Sequence, residues 1–98
     1  MAGIIRVDVA AMEEAARSCR NLAERIEQCR LDCGTLNETL QVCYEGQSAR
    51  AFDEFCKERA MPTLREVSFM CSEIARGIDH TCSEFTSADG ALSGTFQR

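Results

Sequence analysis

A chain of 98 residues makes one domain at most, and its 45% hydrophobic and 28% charged residues describe a folded chain, not a disordered one. A net charge of −5 argues against nucleic-acid binding, because neutralising phosphates takes a basic patch. No run approaches the length of a membrane span, the start Met1-Ala2-Gly3-Ile4-Ile5 lacks the basic residues and long apolar stretch of a secretory leader, and Ala2 stands where N-myristoylation needs Gly.

Residues 1–7 read as extended and frayed. Asp8 stands where a side chain caps a helix, with Glu13 and Glu14 near its positive end. Beyond it, Met12, Cys19, Ile26, Cys33 and Leu40 recur every seven residues, and Ala15, Leu22, Cys29, Leu36 and Cys43 follow each of them by three. Such a three-four alternation is a helix that buries one stripe against another helix. The pattern predicts a helix over about 8–42, some 50 Å long. Gly34 inside it costs about 1 kcal/mol relative to Ala, so it marks a weak point and a candidate close helix–helix contact.

The turn falls at 43–47, where Gly46 supplies the left-handed backbone that closes a helix and Ser48 is a candidate cap for the next. That second helix carries Ala49, Phe52, Cys56 and Ala60 on its inner stripe. Pro62 removes the hydrogen bond to residue 58 and predicts a kink. Leu64, Cys71, Ile78 and Phe85 then form a second seven-residue series, with Val67 and Ile74 interleaved, so one kinked helix is predicted over about 48–85. The tail, 86–98, is small and polar with Gly90 and Gly94, and reads as flexible.

The two stripes mirror each other. Met12 with Ile78, Ala15 with Ile74, Cys19 with Cys71, Leu22 with Val67, Ile26 with Leu64, Cys33 with Cys56 and Leu40 with Ala49 each have residue numbers adding to 89 or 90, and half of that falls at Tyr44-Glu45. The fold class is therefore all-α, an antiparallel two-helix hairpin forming a single domain. One seam buries little apolar area for a chain of this size. Phe55, Phe69 and Met70 are left over on the second helix, and Ala16 and Ala23 widen the stripe of the first. These five residues form the predicted pairing face, covered by a second hairpin in a four-helix bundle.

Seven cysteines are many for this length. Cys19 and Cys29 cannot bond along one helix, because ten residues span roughly 15 Å. Five of the seven lie in the apolar series, which favours buried reduced thiols; a Cys19–Cys71 or Cys33–Cys56 bridge on oxidation is the alternative. No Cys-x-x-Cys knuckle is present and the hairpin puts His80 far from Cys29, so no metal is expected. With one His, no Gly-rich phosphate loop and no Ser with an evident base, neither catalysis nor a cofactor is expected.

The stretch Tyr44-Glu45-Gly46-Gln47-Ser48-Ala49-Arg50-Ala51-Phe52 between two long helices resembles the aromatic-x-Gly turn of the WXG (Trp-x-Gly), ESAT-like small proteins of type VII secretion. Tyr44, Gly46 and Phe52 carry the turn motif. Phe85, Asp89, Leu92 and Phe96 match the spacing of the family's C-terminal export signal, aromatic-x-x-x-acid-x-x-apolar-x-x-x-apolar. Tyr44 replaces the usual Trp, which moves weight toward divergent members that pair with the N-terminal helices of larger, LXG-type toxins. The resemblance implies a non-enzymatic secretion substrate or targeting partner, made in the cytoplasm and exported without a cleaved signal peptide. Its implied partners are a second copy, a related hairpin or a toxin, together with a membrane export ATPase. A cytosolic coiled-coil adaptor and a redox-controlled hairpin remain the competing readings.

Overall fold

The computed structural model describes residues 8–96, with side chains over 8–86. Helix α1 spans Val9–Cys43. The return arm consists of α2 (Gln47–Phe55), a π-helical segment (Cys56–Ala60) and α3 (Met61–Phe96). The arms lie antiparallel in an all-α hairpin measuring 77 × 24 × 15 Å.

Local chemistry explains the ends. The Asp8 carboxylate accepts a hydrogen bond from the Ala11 N–H at 3.0 Å, satisfying one of the orphan donors of the first turn. At the other end Tyr44 turns extended (φ −139°, ψ 124°), its N–H still donating to the Leu40 carbonyl at 2.9 Å. Gly46 then takes φ 135° and ψ −175°, a backbone that L side chains rarely adopt, and it stands as the N-cap of α2; it does not close α1 in the left-handed helical conformation expected, because Tyr44 already ends that helix in extended form. Ser48, the expected cap, lies instead inside the first turn of α2.

Pro62 does disturb the return arm, by widening a turn. It has no N–H, and its ring crowds the carbonyl four residues earlier. The Met61 N–H donates to the Cys56 carbonyl five residues back, the π pattern. The extra residue explains the spacing of buried positions: Ala49 and Cys56 are seven apart, but the inward row resumes at Leu64, not at 63. α3 continues to Phe96, past the end expected near 85.

The seam differs from the expected one in a specific way. On α1 the inward rows are Met12, Cys19, Ile26, Cys33 and Leu40 together with Ala16, Ala23, Arg30 and Asn37. The row three residues after Met12, expected inside, is outside: Leu22, Leu36, Cys29 and Cys43 are exposed. On α3 the same holds, with Ser68, Cys71, Ala75, Ile78 and Cys82 inward and Val67 and Ile74 exposed. Ala16 and Ala23 are therefore not part of a pairing face; both are buried between the arms. The reason is distance. The core consists of Ala16, Ala23, Ala49, Ala75, Cys56, Cys71 and Cys82, all small. Small side chains let two helices approach until a hydroxyl on one reaches the backbone of the other, and the Ser68 Oγ does donate to the Ala23 carbonyl at 2.9 Å. A seam of leucines would hold the arms further apart. Gly34 is the close contact expected of it: a Cβ there would stand 3.3 Å from the Met61 Cε.

Candidate functional site

Close packing of small residues leaves the large ones outside, and most of them are sorted. Leu22, Cys29 and Leu36 each precede an inward residue of α1 by one position, and Val67, Met70 and Ile74 do so on α3. Phe55 likewise precedes Cys56. On antiparallel helices one step before the seam points to the same side of both arms. These seven residues thus share one flank of the hairpin, and all are exposed, Leu36 at 55% and Ile74 at 52%.

The residues one step after the seam make the opposite flank, which is mostly polar but also carries the exposed Leu31. Arg20 and Asp79 pair across it at 2.6 Å. A cleft of about 400 Å³ on this side is lined by Arg20, Glu24, Glu27, Gln28, Ser68 and Ser72 together with Ala23 and Leu31. Arg30 hydrogen-bonds Glu27 and holds its carboxyl below the ordinary carboxylate range. Phe69 follows Ser68, so it falls on this polar side, in a shallow cleft with Lys57, Met61, Pro62, Arg65 and Glu66. Of the five residues predicted to form one pairing face, then, Phe55 and Met70 lie together, Phe69 lies apart from them, and Ala16 and Ala23 are interior.

The turn is tied by a polar cluster that the sequence pattern did not signal. Asn37, only 4% exposed, donates from Nδ2 to the Asp53 carboxylate at 2.8 Å. Gln41 donates from Nε2 to the Ala49 carbonyl at 2.7 Å and to the Asn37 Oδ1 at 3.2 Å. Lys57 pairs with Asp53 at 3.1 Å. The Asn37 hydrogen bond, then Lys57, holds the Asp53 carboxyl below its ordinary value. The seven-residue spacing of Ala16, Ala23, Arg30 and Asn37 was the available clue. Beside the cluster, Tyr44 and Gly46 line one cleft of about 220 Å³ with Gln41, Glu45, Ala49 and Arg50. Tyr44 is half exposed there, and Phe52 is half-buried outside that lining.

At the far end Phe85 is half-buried and closes the inward row. Positions 89, 92 and 96 follow it in the same helix at spacings of four, three and four. The side chains of Asp89, Leu92 and Phe96 lie outside the described residues. Among the described residues no cluster of three His, Cys, Asp or Glu is placed to hold a metal, and no helix is long and apolar enough to cross a membrane.

A helical hairpin with a tight aromatic-x-Gly turn, and no strand among the described residues, defines a small all-α protein. The family model described as "Proteins of 100 residues with WXG" matches residues 4–90, and the chain belongs to this WXG100 family. It is thereby a small protein associated with type VII secretion. Members of the family are small secreted helical proteins, not known enzymes, and typically form dimers with related helical proteins. No curated protein and no solved structure matches the chain.

Proposed function

We propose that the protein is a type VII secretion substrate or targeting partner that pairs through its apolar flank and carries an export signal at the end of α3. The single observation that supports this most is the sorting of Leu22, Leu36, Phe55, Val67, Met70 and Ile74 onto one flank, where a second helical hairpin completes a four-helix bundle. The occupant is a second copy, a related small protein or the N-terminal helices of a larger toxin.

The signal consists of Phe85, Asp89, Leu92 and Phe96, recognised by a membrane export ATPase. Asp89 supplies the charge and the other three the apolar anchors. Two features support this. The family match associates the chain with type VII secretion, and α3 runs as helix through positions 85, 89, 92 and 96, a spacing that keeps them near one helical face. Pull-down of the tagged protein from its host is the test. Recovery of a helical partner, and loss of export without loss of the helical circular dichroism in Asp89→Ala, is the expected result. Undiminished export of that variant overturns the signal.

A further inference from the structure

Cys33 on α1 and Cys56, the first residue of the π segment, face each other across the seam with their sulfurs 3.6 Å apart. The structure gives no such contact to Cys19–Cys71, the other facing pair in the sequence register. Cys56 is wholly buried, Cys33 half-buried, and Cys29 and Cys43 are exposed. The pair lies 23 residues apart in the chain and encloses the turn. We infer that Cys33 and Cys56 are a dithiol modification site, oxidised by a low-molecular-weight disulfide to a bond that staples the two arms. The inference is independent of the export reading.

The accessible member reacts first. The Cys33 sulfur, as thiolate, attacks one sulfur of the small disulfide, releasing one thiolate and leaving a mixed disulfide on Cys33. Cys56 then loses its proton and attacks the Cys33 sulfur, forming the internal bond and releasing the second small thiolate. Two protein thiols lose two electrons, the small disulfide gains them, and the two protons complete two small thiols. Burial raises the Cys56 thiol above its ordinary value, so this second step accelerates toward alkaline pH. Exposed Cys29 and Cys43 have no facing sulfur within the hairpin, so they stop at mixed disulfides or join different molecules.

The test treats the native full chain with oxidised glutathione, blocks the remaining thiols and maps the tryptic peptides without reduction. A Cys43→Ser background removes the thiol that shares a tryptic peptide with Cys33. The expected result is a joined Cys33–Cys56 peptide pair and a rise in Tm on the order of 10 °C, since closing this loop restricts the unfolded chain. Cys33→Ser abolishes the joined pair. Recovery of Cys33 and Cys56 separately blocked while other cysteines are joined overturns the inference. So does formation of the same pair to the same extent in guanidinium, where no seam exists to hold the sulfurs together.

Discussion

The Ser68 hydroxyl reaches 2.9 Å to the main-chain carbonyl of Ala23 on the opposite arm. A side chain as short as serine bridges two helices only if nothing larger than alanine stands between them. Ala23→Leu therefore forces the arms apart, with an overpacking cost of about 1–3 kcal/mol. A thermal melt followed by circular dichroism should fall by roughly 4–8 °C for each kcal/mol. Leu22→Ala, one residue away but outside the seam, should leave the hairpin's own melt nearly unchanged when measured at high dilution.

The apolar flank makes the opposite prediction. Leu36→Glu combined with Ile74→Glu places charges on exposed positions, so the helical content should persist. Association should not. If the flank is the contact, the wild-type melting temperature rises with protein concentration, because a partner that binds only the folded form stabilises it. In the double variant that dependence vanishes and light scattering reports one hairpin. A concentration-dependent melt in the double variant would move the interface elsewhere, toward the side of Phe69.

Stability should fall toward both ends of the pH scale. The Asp53 carboxyl is held below its ordinary value of 3.8, first by Asn37 and then by Lys57. A folded value below the unfolded one means that the unfolded chain binds the proton more readily. The stabilisation is thus present above 3.8 and is lost as pH drops through the lowered folded value. Cys56 works the other way. Its folded value of about 11 lies above the ordinary 9.0, so the unfolded chain ionises first and stability declines as pH rises from 9.0 toward about 11. Melts across pH, compared with Asn37→Ala and Cys56→Ala, separate the two. Asn37→Ala should also lose about 1–3 kcal/mol at neutral pH by stranding the polar groups that Asn37 joins.

Two glycines should respond with opposite signs. Gly77 lies inside α3 with nothing within 4 Å of an added Cβ, so Gly77→Ala gains about 1 kcal/mol of helix propensity. Gly46 also has open space around it, yet its φ of 135° strains any L side chain, and Gly46→Ala should lower the melt. Paired denaturation curves check both.

Much of the architecture could be read from residues alone, and the failures along the seam share one cause. Asp8 caps α1, Gly46 makes the turn, and the register that sets Cys33 opposite Cys56 is observed as a sulfur contact. What misled was the choice between two rows, Leu22-Cys29-Leu36 and Ala23-Arg30-Asn37, each with the same seven-residue spacing one position apart. Hydrophobicity favours the first row. Interhelical distance, which no single-chain pattern states, selects the second and sends the leucines to the flank. The same bias hid Asn37, Gln41 and Asp53, because polar residues in a seam look like errors until their partners are seen. Pro62 announced a disturbance, but whether it bends the helix or widens a turn depends on what the neighbouring carbonyls can bond.

The widened turn at Cys56–Ala60 has a consequence for how this chain tolerates change in length. It stores one surplus residue between two stretches that each keep their own alignment with α1. Excising a single residue among Lys57, Glu58 and Arg59, with Pro62→Ala to remove the ring, would let ordinary helix replace it, with Cys56 and Leu64 still turned inward. The same excision anywhere in 65–80 would instead swing every later side chain by roughly 100° about the helix axis. Insertions and deletions in relatives should therefore gather at this one elastic joint.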